Sequence, residues 1–263
     1  MHRFSKCSIS PFIAVCVAMW LASSSVAIAR EHLGGDSFAP GYAPPELLAH
    51  GFTGEDWRRI VAAYELRRHA AFPEPGAPDS KAYRMRNPRQ QWLSKFDGRG
   101  VTIEPDHGQW TWGLELAGFG RSQKGLGPLL GVRTKDNRLT YRWSGKLEEW
   151  YVNNERGLEH GFTVHERPRG ESGRLEIHLR VRGDLRAQAA SGASVDFVDA
   201  AGKPALRYSG LKAWDATGKA LSASLASPAP GIVTISVDDR GARYPLTIDP
   251  TVQQAYLKAS NTG

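Results

Sequence analysis

The sequence predicts an all-β protein, an antiparallel β-sandwich with one short α-helix near its start. Three observations carry this. First, Leu139, Tyr141 and Trp143 alternate with Thr140, Arg142 and Ser144, and Trp150 with Val152 and Phe162 with Val164 repeat the period. A period of two in aromatic and branched residues is the mark of a half-buried strand. Second, short turn sequences separate the strand-like runs throughout the chain. Third, both cysteines, Cys7 and Cys16, lie in the first 29 residues, so the remaining chain must be held by its core rather than by disulfides.

Met1–Ala29 has the three parts of a secretory signal peptide: Arg3 and Lys6, a mostly apolar run from Phe12 to Leu21, and Ala27-Ile28-Ala29 as a small-x-small cleavage site. The run is too short and wrongly flanked for a stable membrane span. A lipid anchor at Cys16 is disfavoured by Val15, which is larger than the residue expected before a lipidated cysteine. Localisation is therefore expected to be periplasmic, cell-surface or extracellular. Without Arg3 and Lys6 the formal charge falls from +7 to +5. The basic residues are scattered rather than gathered in one patch, which argues against nucleic acid as a partner. A cell-surface polysaccharide or protein is the expected partner class.

Residues 30–52, with Gly34-Gly35 and Pro44-Pro45, read as an extended lead. Thr53 caps a helix, with Asp56 three residues on in a variant of the capping box. Glu55 and Asp56 in its first turn and Arg67, Arg68 and His69 in its last suit the helix dipole. Trp57, Ile60, Val61 and Tyr64 form an apolar stripe, either packed on the chain itself or offered to a partner. Phe72–Pro78 reads as a proline-rich linker. The division is thus signal at 1–29, lead, helix and linker at 30–78, sandwich at 79–250 and a lead-out segment at 251–263. Were there two small sandwiches in tandem, their boundary would lie near Leu185–Gly192, where alternation lapses.

Within the sandwich region, strands are expected at Gln91–Phe96, Val101–Glu104 and Trp110–Ala117. The Leu139–Glu166 stretch forms a three-stranded meander with Trp143 and Trp150 in its core, followed by a strand at Arg174–Arg182. The Gly118–Gly131 stretch lacks the Gly-Lys-Ser/Thr ending of a phosphate loop and reads as a turn-rich loop. Asp-x-x-Gly recurs at Asp97, Asp199, Asp215 and Asp238, with Asn154-Glu155-Arg156-Gly157 as an Asn version. An Asp accepts backbone N–H bonds at the turn and Gly supplies positive φ, so hairpins are expected. Calcium loops alternate their oxygen ligands more densely. Asp249-Pro250 is expected to end the last strand, leaving Thr251–Leu257 weakly held, so that truncation after Pro250 changes stability little.

The acid/base candidates are Glu148-Glu149 and Glu159-His160. Adjacent strand residues point to opposite faces, so Glu148 and Glu149 cannot form a facing pair, although Glu149 and Glu159 could still meet across strands. His160 and His165 would also face opposite sides. No Gly-x-Ser-x-Gly, zinc or cofactor motif is present. These observations predict no catalytic residue, no metal and no cofactor. Trp110, Trp112 and Trp214 are the candidate glycan-binding residues, because tryptophans facing outward from strands can stack on sugar rings; the ordinary alternative for each is core.

Three segments are distinctive together: EWYVNNERGLEHGF from Glu149, YSGLKAWDATGKAL from Tyr208, and VDDRGARYPLTIDPTVQQAYLKAS from Val237. They resemble the N-terminal module of bacterial secreted proteins that continue into FG-GAP repeats, the repeats of integrin-α-like β-propellers. The resemblance covers about Gln91 to Gly263, while the Phe-Gly…Gly-Ala-Pro repeats themselves are missing from this chain. It implies a non-catalytic module of a secreted or cell-surface protein, with a structural or adhesion-related role, and no catalytic residues to carry over. The alternatives are a carbohydrate-binding module using exposed tryptophans and, second, a glycan-active enzyme. Export should leave Arg30 as the mature N-terminus; N-terminal sequencing of secreted protein that returned Met1 would contradict this.

Overall fold

The computed structural model describes residues 51, 53–76, 81–121, 126–144, 146–170 and 173–255. Met1–Ala29, residues 30–50 of the extended lead and residues 256–263 lie outside the described residues. The chain divides into two compact units, Met1–Ala63 and Tyr64–Gly263. Helix α1 spans Gly54–Arg68. Its cap is a reciprocal one: the Asp56 N–H donates to Thr53 Oγ1 at 3.1 Å and the Thr53 N–H donates to Asp56 Oδ2 at 2.9 Å. Trp57 is its buried residue, whereas Tyr64 is 56% exposed and stacks with Arg68. The apolar stripe is therefore buried at one end only. No helix among the described residues is long and apolar enough to cross a membrane.

The second unit is a β-sandwich of two eight-stranded antiparallel sheets. The first sheet runs, in spatial order, β1 (Ala71–Pro73), β2 (Tyr83–Asn87), β3 (Trp92–Phe96), β4 (Gly100–Pro105), β5 (Trp112–Gly120), β10 (Leu175–Gly183), β15 (Ile232–Val237) and β14 (Ala223–Ala229). The second runs β11 (Arg186–Ser191), β12 (Ser194–Val198), β13 (Pro204–Trp214), β16 (Leu246–Gln254), β9 (Gly157–Val164), β8 (Leu147–Asn154), β7 (Arg138–Ser144) and β6 (Gly131–Lys135). One hydrophobic cluster draws on both, with Trp92, Trp112, Leu114 and Ile177 from the first and Tyr141, Phe162, Phe197 and Ile248 from the second. This two-layer arrangement buries the apolar face of each sheet. The lapse of alternation near Leu185 is where the chain passes from one sheet to the other, between β10 and β11. The stretch read as linker contributes β1, which pairs with β2 and ends at Pro73 on the sheet edge, where a missing N–H is tolerated.

The β7–β8–β9 meander forms with the turns in the expected places. Its middle strand is turned over relative to the sequence expectation. Leu147, Glu149, Tyr151 and Asn153 face the core, and Trp150 lies on the outer face. Trp150 is nonetheless 5% exposed. Its ring occupies the space above Gly161, where a Cβ would come within 2.1 Å of the indole, and Arg138 covers it at 4.2 Å. Trp143, by contrast, is in the core as expected.

Pro250 does not end the last strand. Strand β16 continues to Gln254 between β13 and β9. The missing proline N–H is accommodated by a bulge on β13, where pairing skips from Ser209↔Thr251 to Lys212↔Asp249 around Gly210, at φ +71°. Beyond the proline, Val252 is 1% exposed. Gln254 is locked to the loop after β2: its N–H donates to Gln90 Oε1 at 2.9 Å and its side-chain amide donates to Gln90 O at 2.7 Å. Alongside, the buried Asn87 amide donates to Asn153 Oδ1 at 2.7 Å and to Asn154 O at 2.8 Å, which joins the two sheets at this end of the sandwich.

Strand β16 is the bridge between β11–β13 and β6–β9, so its last four residues are integral. Truncation after Pro250 removes a buried valine and the Gln254 lock, and should cost more than about 2 kcal/mol. An unchanged melting temperature for that truncation would contradict this reading of the strand.

Candidate functional site

The core of the second sheet holds a buried polar network built from residues that alternation places on one face. Glu149 and Tyr151 come from β8, His160 from β9, Trp143 from β7 and Tyr208 from β13. Glu149 is wholly buried. Its Oε1 accepts from Tyr151 OH at 2.6 Å and lies 2.8 Å from His160 Nε2; its Oε2 accepts from Trp143 Nε1 at 2.7 Å. His160 Nδ1 sits 3.0 Å from Tyr208 OH, and its ring stacks on Tyr151 with centroids 4.5 Å apart. A carboxylate only accepts, so the tautomer that fits places the ring proton on Nε2 and lets Nδ1 accept from Tyr208. Every carboxylate oxygen is thereby satisfied, which a buried acidic group requires.

Of the sequence candidates, Glu149 and His160 are brought together, but not on the surface. Glu149 lies opposite Phe162 and Glu159 opposite Val152, on the other side of the sheet, so those two carboxylates do not meet. Glu148 is on the outer face, and His165 lies 3.8 Å from it. Loss of a proton from the phenols is opposed at both tyrosines. Burial pushes the Tyr151 hydroxyl well above its ordinary value, reinforced by the neighbouring Glu149, and does the same at Tyr208. Enclosed as it is by Phe162, Tyr141 and its own members, the network has no face on which a substrate could meet Glu149 or His160.

A second node centres on Asp239, whose side chain is also fully buried. Its Oδ2 accepts from Arg121 at 2.5 Å, Arg167 at 2.9 Å and Tyr244 OH at 2.5 Å. Burial opposes ionisation of Asp239, but these donors outweigh it and hold the carboxyl below its usual range. This ties the residues after β5, after β9 and between β15 and β16 together.

The Asp-x-x-Gly carboxylates are likewise engaged within the chain. Asp215 Oδ1 accepts the N–H groups of Thr217 and Lys219 at 2.9 and 3.1 Å, with Gly218 at φ +83°. Asp199 does the same for Ala201 and Lys203, with Gly202 at φ +80°. The positive φ in the Asp97 turn falls on Gly98 rather than Gly100, and Asp238–Gly241 leads from one sheet to the other rather than closing a hairpin.

The tryptophans named as glycan-binding candidates are dispersed. Trp112 is fully buried, edge-on to Phe197 at 4.8 Å, and cannot stack on a sugar. Trp110 is half-buried and packs against the core. Trp214 is half-buried on the outer face of β13, opposite Thr247. No shared platform results. Sequence reasoning did not assign Tyr151, Tyr208 or Trp143 to a polar network; the signal available was Glu149 and His160 at core parity on neighbouring strands.

The buried phenols give a pH dependence. Unfolded tyrosine ionises near pH 10, whereas Tyr151 and Tyr208 keep their protons in the fold. Their raised folded values leave stability intact below about pH 10 and remove it as pH rises further. The melting temperature should therefore drop steeply above about pH 10, and Tyr208→Phe should flatten that drop. A melting temperature level from about pH 9 to about pH 11 would contradict this.

No family model matches the chain, and no curated protein matches it. Among solved structures it is similar to a GH92 α-mannosidase from Bacteroides thetaiotaomicron, determined in complex with mannoimidazole. The identity is 11% and the TM-score 0.35, over 72% of this chain and 32% of that one. The chain thus spans well under half of that enzyme's length, and a likeness at this level carries no argument about activity.

Proposed function

We propose that the protein is a non-catalytic module of an exported bacterial FG-GAP-type protein, with a structural or adhesion-related role outside the cytoplasm. The observation that carries the non-catalytic part is the placement of Glu149 and His160. The best acid/base pair in the chain is spent on Tyr151, Trp143 and Tyr208 inside the core. Export rests on the signal-like Met1–Ala29, and the family on the three resembling segments.

Three measurements test this reading. Expression in a bacterial host should deliver the protein outside the cytoplasm, and retention of full-length chain in the cytoplasm would overturn export. Incubation with polysaccharides should release no reducing ends. Glu149→Ala should lower stability by about 3–5 kcal/mol, the cost of stranding buried partners. Sugar release that disappears in a folded Glu149→Gln variant would make the protein an enzyme instead.

A further inference from the structure

Several strand connections gather at one end of the sandwich. There β10 begins at Leu175 opposite Val237, the end of β15, and β16 begins at Leu246 opposite Val164, the end of β9. Basic residues that are far apart in sequence meet at this end: Arg174 before β10, Lys219 between β13 and β14, and Arg240 and Arg243 between β15 and β16, all four exposed. A cleft of about 390 Å³ opens between the last two connections. It is lined by Lys219, Ala220, Leu221 and Ser222 from one and by Asp238 and Arg240 from the other. Backbone bonds fix its two sides. The Asp238 N–H donates to Ser222 O at 2.8 Å, and the Ala216 N–H donates to Arg243 O at 2.9 Å. The cleft is thus preformed, and its volume lies at the low end of the range for small-molecule sites.

Asp238 is the one acid in this lining, and Arg240 takes both of its oxygens. Arg240 Nε donates to Oδ1 at 2.9 Å and Nη2 to Oδ2 at 2.6 Å. These bonds hold the Asp238 carboxyl well below the usual carboxylate range, with a smaller contribution from the charge on Arg174. Arg174 reaches the rim through one bond, from Nη2 to Ser222 O at 3.2 Å. The nearby Asp215 is buried and accepts the N–H groups of Thr217, Lys219 and Arg243. The Lys219 ammonium forms no ion pair among the described residues. Three cations, Arg174, Lys219 and Arg240, therefore surround one carboxylate that is already held bidentately, and the cleft keeps an excess of positive charge.

Lysine offers a point charge and arginine a fork of N–H donors, and both suit carboxylate or phosphate oxygens. The exposed Ser222 hydroxyl adds a neutral donor, and Ala220 and Leu221 give an apolar stretch for the body of a ligand. We propose that this cleft binds an oxyanion carried on a sugar-sized body, a uronate or a sugar phosphate, with Lys219 and Arg174 as its counter-charges. In an exported module such groups are met on acidic surface polymers. The site itself stands on the cleft and its charges and needs no export.

The test is a titration of the isotope-labelled full chain with sodium glucuronate, glucose 6-phosphate or glucose at matched ionic strength, following the backbone amides of Lys219, Ser222, Asp238 and Arg240. At least one of the two anions should shift these amides saturably, with a Kd of about 1 mM, and glucose should not. A response to glucuronate alone would support a carboxylate ligand, and one to glucose 6-phosphate alone a phosphate ligand. Lys219→Ala and Arg174→Gln, each checked for an unchanged melting curve, should weaken binding about fivefold, the upper end for an exposed charge contact. Lys135→Ala removes the same charge from β6 and should leave binding unchanged. No saturable shift with either anion would overturn the proposal, as would equal shifts with glucose. Binding that both cleft variants retain, or that Lys135→Ala weakens as much as they do, would show general attraction by a basic surface and would also overturn it. None of these failures touches the exported, non-catalytic reading, which fails instead by cytoplasmic retention or sugar release.

Discussion

A carboxylate inside a hydrocarbon core is tolerated only with its partners in place, and Glu149 sets that condition for the second sheet. Its three donors come from three strands, Trp143 on β7, Tyr151 on β8 and His160 on β9. His160 extends the network past β16 to Tyr208 on β13. One ionisable group thus fixes the register of the meander and links it to the strands beyond the central one. A one-residue slip of β8 would turn Glu149 and Tyr151 to the outer face and take them away from Trp143 and His160, which disfavours that register.

The same logic recurs at smaller scale. Asp239 gathers two arginines and a tyrosine from three connections. The Asn87, Asn153 and Gln90 amides close one end of the sandwich and capture the end of β16 through Gln254. A disulfide-free chain beyond residue 29 thus holds its layers together with buried polar nodes as well as with apolar packing. Apolar packing supplies most of the free energy, and the nodes select one arrangement of the strands.

Much of the architecture was legible in the sequence because alternation is strong where strands are half-buried. The β7–β9 meander, the strand that became β10 and the cap of α1 all follow from spacing. The parity of β8 was not legible from its own residues. Trp150 and Val152 alternate with Glu149 and Tyr151, and an aromatic sits on each face. The deciding signal lay across the sheet, where Gly161 leaves room for an indole on the outer side. Pro250 misled for a related reason: a proline ends a strand unless its neighbour bulges, and the bulge at Gly210 is forty residues upstream in the sequence. Trp112 could not be assigned from alternation alone, since a strand tryptophan facing core and one facing solvent share the same spacing.

The central claim is that Glu149 is a structural acceptor whose donors are fixed. The ring of His160 reports on it directly, because only one tautomer satisfies both of its neighbours. A long-range proton–nitrogen correlation spectrum of isotope-labelled protein should show the His160 ring proton on Nε2, protected from solvent exchange by its bond to Glu149. A His160 ring with its proton on Nδ1 alone, or one exchanging as fast as exposed His165, would contradict the network and with it the account of how this sheet is held.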